Sequence, residues 1–351
     1  MKILGVITQA FAYLPAYLDA KKIFMVVLKL SRLREVSNLD KDFNPTMSLE
    51  EAIQLYSTVG HRNADFLFHW LYQIYDKTYL PSIDKNYKDE LALIKTKLCI
   101  FDVLIDDLAD NAKLRNKRLL DISLRIPFNG TKEYKNQYLE VSRKIWQDCI
   151  SSIKKLPRYE EFKDIFDFDL EQVINSMKYS YLINTTDISN SKEDEMYLNH
   201  GVMVMLHCDL DLMCSPNFNY EELRTLRPII HSVQDVAHIG NMINTYPKEI
   251  QEADFSSPII SHGIREGLID KTTVIRDPEQ ALASLHPLIS QYETRMKKNL
   301  EKIEMHASEI ESIDIYDFTN RLKNVWSQFL NREKYWESQD NTHPLITVKT
   351  I

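Results

Sequence analysis

Eight long stretches of the chain, near residues 47–77, 86–112, 134–154, 159–184, 193–213, 219–250, 278–308 and 313–335, repeat apolar residues every three to four positions. That period lays one side of a helix against a core; strands alternate every second residue instead. Short polar or proline-containing joints separate the stretches, among them Ser82-Ile-Asp-Lys, Asn184-Thr-Thr-Asp and Ser215-Pro-Asn. Residues 66–75 (FLFHWLYQIY) are apolar on nearly every side, the pattern of a helix buried all round. Only 7 glycines occur in 351 residues, whereas sheet-rich and nucleotide-binding folds need glycine for turns and close phosphate approach. The expectation is an all-α bundle of at least eight helices.

No Ser/Gly-rich linker, low-complexity tract or internal repeat marks a boundary, so residues 1–351 read as one domain. Residues 1–45 are expected to pack on or near it, with 340–351 as a tail. The N-terminal apolar stretch is interrupted by Gln9, Pro15 and Asp19, and neither piece reaches the roughly 18 residues of a spanning helix. A formal net charge of −8 leaves no basic stripe for nucleic acid. Cys99, Cys149, Cys208 and Cys214 form no CxxC pair, which fits reduced core thiols and a cytoplasmic protein.

Residues 99–111 read CIFDVLIDDLADN. Asp106 and Asp110, four apart, share one face of a helix, with Asp107 beside them. Carboxylates this close repel unless a cation lies among them, and magnesium typically takes one or two carboxylates plus substrate phosphate oxygens. Residues 241–249 read NMINTYPKE, in which Asn241, Thr245 and Glu249 stack at i, i+4 and i+8. An amide, a hydroxyl and a carboxylate make an all-oxygen site suited to the same ion. Lys248 lies next to it. Taken singly, each cluster also fits a solvated polar helix face.

Together, a DDxxD and an N-x-x-x-[ST]-x-x-K-E motif 135 residues apart resemble the paired metal sites of class I terpene synthases, microbial type. Residues 195–198 (EMYL) are similar to that family's opening of a central helix, and Trp326 with Lys334-Tyr335 to its Trp…Arg-Tyr pair. The resemblance implies ten or more helices around an apolar cavity, a linear isoprenyl diphosphate substrate (C15 or C20 favoured), and three Mg²⁺ ions. Asp106, Asp107 and Asp110 would hold metal at one motif; Asn241, Thr245 and Glu249 would hold it at the other. Lys248, Lys334, Tyr335 and Arg227 would bind the diphosphate. Phe66, Trp70 and Tyr179 would line the cavity, and a homodimer is compatible with such a fold.

Met242 stands where the family usually has Asp, and Pro247 falls inside the second motif. No arginine occurs between Arg158 and Arg224, where the family carries a diphosphate-sensing one; Gly201 and His200 occupy that region. Alternatives are a prenyl diphosphate synthase, a squalene- or phytoene-type enzyme using the Asp102/Asp106 spacing, or a non-catalytic lipid-binding relative. The absence of a second aspartate-rich motif weighs against both enzyme alternatives.

Overall fold

The computed structural model describes residues 47–129, 135–186 and 188–330. Residues 1–45, 340–351, Lys334, Tyr335 and the side chain of Trp326 lie outside them. Among the described residues there are helices and turns but no strand. In order, the helices are α1 (Leu49–Ser57), α2 (Ala64–Tyr75), α3 (Lys88–Ala109), α4 (Lys117–Ser123), α5 (Ile126–Asn129), α6 (Gln137–Ile153) and α7 (Tyr159–Thr185). They continue as α8 (Ser191–Tyr197), α9 (Val204–Met213), α10 (Leu223–Glu252), α11 (Pro258–Arg265), α12 (Lys271–Arg276), α13 (Pro278–His306) and α14 (Ile315–Leu330). None of them is long and apolar enough to cross a membrane.

Local chemistry sets the helix starts. Ser48 and Glu51 form a capping box before α1, and the side chains of Asn63, Asn136 and Asn190 accept from the first turns of α2, α6 and α8. Asp277 followed by Pro278 opens α13 in the same way. The expected stretch 193–213 breaks: α8 gives way to a 3₁₀ turn at Leu198–Val202, and Met203 takes a left-handed conformation at φ 55° before α9. Met242, the departure from the second motif, is buried with Tyr246 and Ile250 in a satellite core. Pro247 does not end its helix; α10 runs on to Glu252 with both Pro228 and Pro247 inside it.

Helix α3 is the centre of the bundle, with 16 of its 22 residues buried. It packs against α1, α2, α6 and α7. Two lysines on it are also buried. Lys95 pairs with Asp211 of α9 at 2.6 Å, and Lys97 pairs with Asp148 of α6, all four side chains being at most 1% exposed. Asp148 also accepts from the Met47 amide at 3.0 Å. A charge this deep is tolerated only because its partner is in place.

Removing one partner should therefore be severe. Asp148→Ala is expected to cost about 3–5 kcal/mol in chemical denaturation, and the double change Lys97→Met with Asp148→Leu should recover part of it. A loss below about 1 kcal/mol for Asp148→Ala would mean that the pair is not what holds α3 to α6.

Candidate active site

Because α3 is helical through its acidic segment, Asp102, Asp106 and Asp110 form one stripe at i, i+4 and i+8, each half-buried. On α10 the same spacing aligns Asn241, Thr245 and Glu249. Both stripes line a single cavity of about 370 Å³, so helices distant in sequence converge on it. Its other walls are largely apolar: Leu67, Trp70, Leu71 and Ile74 of α2, Met177 of α7, and Phe318 and Leu322 of α14. This explains the all-round apolar pattern of residues 66–75. Helix α2 is not buried on every side; only Ala64 and Phe68 are buried within it, and another face looks onto the cavity.

The described cations lining the cavity are Arg62, Lys95 and Lys248. Arg62, in the joint between α1 and α2, reaches both leading carboxylates: its Nη2 lies 2.8 Å from Asp106 Oδ2 and 2.7 Å from Asp107 Oδ1. Its Nε also donates to Asp107 Oδ1 at 2.8 Å. Asp107 itself is buried and turned off the stripe, and its Oδ2 has no partner. It therefore anchors Arg62 and does not line the cavity, as helical spacing dictates for the residue next to Asp106. Lys248 pairs with Glu252 at 3.4 Å.

Two other expected residues stand elsewhere. Arg227 is held by Asp169 through two bonds of 2.8 and 2.9 Å and is absent from the cavity wall. A fork-to-fork pair with a carboxylate 1% exposed holds that guanidinium away from the cavity. Tyr179 is buried with its hydroxyl donating to Asp194 at 2.9 Å, and Phe66 is half-buried; neither lines the cavity, whereas Trp70 does. The residues the spacing argument passed over are Arg62 and Asp254; Asp102 entered it only through the Asp102/Asp106 spacing of the squalene- or phytoene-type alternative. Asp254 and Arg62 carry no motif signal, because each reaches the site through a loop.

Crowding of carboxylates has the electrostatic consequence expected of it. Burial, and then the neighbouring Asp106 carboxylate, push Asp102 and Asp110 well above the usual carboxylate range. Burial, followed by the Asp254 carboxylate, raises Glu249 from 4.5 to about 7. Glu249 Oε2 has no hydrogen-bond partner. The Thr245 hydroxyl donates to the Asn241 carbonyl at 2.9 Å, which leaves its oxygen lone pairs for another ligand. Among the described residues no three acidic, histidine or cysteine side chains converge closely enough to enclose an ion. The donor set fits Mg²⁺ in another way, one or two oxygens from a wall with phosphate oxygens completing the shell.

Compared with protein-family models and with curated proteins, the chain matches none of them.

The raised Glu249 has a testable sign. Between about pH 5 and 7 the unfolded chain has released a proton that folded Glu249 keeps, so this residue's contribution to stability falls as pH rises through that window. Histidines lowered by burial, such as His238 at about 3, act in the opposite sense at lower pH. The expected readout is therefore a difference. The melting temperature of the metal-free protein relative to Glu249→Gln should decline from pH 5 to pH 8; a flat difference would show that Glu249 ionises as in the unfolded chain.

Proposed function

We propose that this chain is a Mg²⁺-dependent class I terpene cyclase that ionises a linear isoprenyl diphosphate, C15 or C20 favoured, and closes the carbocation into rings. The observation that carries the reading is the pair of oxygen-rich stripes on α3 and α10 at one cavity whose remaining walls are largely apolar. A diphosphate at one end and a hydrocarbon chain along the rest would match that division. Asp106, Asp110, Asn241, Thr245 and Glu249 would hold the ions, with Asp102 beside them.

Bound Mg²⁺ would supply Lewis-acid neutralisation of charge developing on the leaving diphosphate. The chain's own groups do the rest. Arg62 and Lys248 stand at the carboxylate end, where their N–H groups would donate to diphosphate oxygens as the C–O bond breaks and its electron pair departs with oxygen. Were Asp106 to hold an ion, Arg62 would stay anchored on Asp107 and its donor now on Asp106 could turn to a diphosphate oxygen. The apolar walls fold the tail and exclude water from the cation. The rings of Trp70 and Tyr75 offer π-faces to it.

Purified protein incubated with geranyl, farnesyl and geranylgeranyl diphosphate should release diphosphate and a cyclic product from one of them, and chelation should stop both. Elongated products formed only with isopentenyl diphosphate would instead support a prenyl diphosphate synthase. Asp106→Ala and Asn241→Ala should each lower Mg²⁺-dependent diphosphate release by about 10²–10³-fold while far-UV circular dichroism stays unchanged. Full turnover in either variant would remove that residue from the site.

A further inference from the structure

Asp254 lies just past the end of α10, and its carboxylate lines the cavity although the residue is only 6% exposed. The helix stops by a Schellman-type cap: Ala253 is left-handed at φ 52° and ψ 43°, its amide donates to the Ile250 carbonyl, and the Asp254 amide donates to the Glu249 carbonyl at 3.0 Å. Alanine, with its Cβ, adopts this conformation only where the surroundings enforce it. The cap ties Asp254 to the backbone of Glu249, the last residue of the second stripe.

Three donors then fix one carboxylate oxygen. Asp254 Oδ1 accepts from the Ser256 amide at 2.9 Å, the Ser256 hydroxyl at 2.5 Å and the Asn184 amide of α7 at 2.8 Å. Oδ2 takes no part in these bonds. Such one-sided fixing is how outer-shell groups orient a ligating carboxylate.

An independent feature of the same wall also asks for a ligand. Ser257 is 3% exposed and lines the cavity, yet its Oγ, beside the Glu249 carboxylate, forms no well-aligned hydrogen bond and does not cap α11, the helix it opens. Glu249 Oε2 beside it is likewise buried and without a partner. Two buried oxygens without a well-aligned partner at a cavity wall are costly unless something else binds there.

We propose that Asp254 is a further metal-binding carboxylate, extending the α10 stripe around the helix end so that an ion there is shared with diphosphate oxygens. The proposal rests on the cyclase reading for the identity of its ligand. Asp254 supplies one oxygen, Glu249 another, and Ser257 Oγ is placed to donate to a phosphate oxygen or a water of the ion.

The test is calorimetric titration of MgCl₂ into the full chain in the presence of inorganic diphosphate, with Mn²⁺ substituted in parallel for counting by electron paramagnetic resonance. Asp254→Asn keeps the oxygen that Ser256 and Asn184 bond and replaces the charged Oδ2 with an amide NH₂ that cannot bind a cation. It should weaken Mg²⁺ affinity at least about tenfold and lower the Mn²⁺ count, while the metal-free melting temperature is unchanged or higher. Ser256→Ala, which removes the hydroxyl donor but keeps the backbone one and does not touch the ligand, should weaken affinity less. Unchanged affinity and ion count in a folded Asp254→Asn variant would overturn the proposal. Wild-type protein that binds no Mg²⁺ with diphosphate would overturn it together with the cyclase reading. Metal binding that depends on Asp254 in a protein that turns over no isoprenyl diphosphate would support it and sink that reading alone.

Discussion

The guanidinium of Arg62 touches two carboxylates at once, Asp106 and Asp107, at 2.8 and 2.7 Å. Without it, the acidic end of α3 would carry three like charges on one stripe and a fourth buried beside them. Like charges four apart on a helix are already destabilising at a surface, and burial magnifies the effect. Arg62 bonds only the leading pair, and its charge also draws Asp102 and Asp110 down without offsetting their burial. Burial and the remaining like charge push Asp102, Asp110 and Glu249 up from the ordinary carboxylate range. The ligand-free site thus sets one guanidinium against carboxylates whose ionisation is opposed.

That balance needs α3 to be held at one rotation about its axis. The two buried lysine pairs do this from different sides. Lys97 ties the helix to α6, away from the cavity, while Lys95 and Asp211 sit on the cavity wall itself. From Lys95 to Asp110 the helix rises roughly 22 Å, so one face of α3 runs the depth of the chamber. Its carboxylates stand at one end and Cys99 and Lys95 at the other. A turn of the helix by a single residue would carry Asp106 off the wall and put Asp107 on it. Ion pairs in a core are a poor source of net stability, but they discriminate strongly among rotations, since every alternative leaves a charge unpaired.

How much of this was legible depends on the range of the interaction. Helix identity and the two stripes follow from spacing within one helix, which the sequence states directly. Residues 66–75 were read correctly as apolar and wrongly as buried all round, because periodicity cannot distinguish packed core from the wall of a chamber. The family resemblance implies a diphosphate-binding role for Arg227. Its partner Asp169 lies 58 residues earlier on α7, and nothing in either sequence neighbourhood announces the pair. Arg62 and Asp254 escaped for the same reason, since loop residues have no period and reach the site only through the fold. The break at 198–203 was also hidden, a left-handed Met203 being a conformation the residue type does not advertise.

Among the described residues no three acidic, histidine or cysteine side chains converge on one point, which constrains how an ion can bind. A preformed cage would bind bare Mg²⁺ and hold it without substrate. Here the oxygens are distributed over two opposed walls, so neither wall completes a coordination shell, and water must supply the rest unless phosphate oxygens bridge the gap. Reciprocal linkage follows: whatever the diphosphate contributes to holding the ions, the ions contribute equally to holding the diphosphate. The raised carboxyls of Asp102, Asp110 and Glu249 sharpen this coupling, because arriving positive charge favours their ionised form. Under the proposed reading, three Mg²⁺ ions bring more positive charge than one diphosphate neutralises, and the carboxylates of the two stripes balance the remainder at the end of the cavity away from its apolar walls.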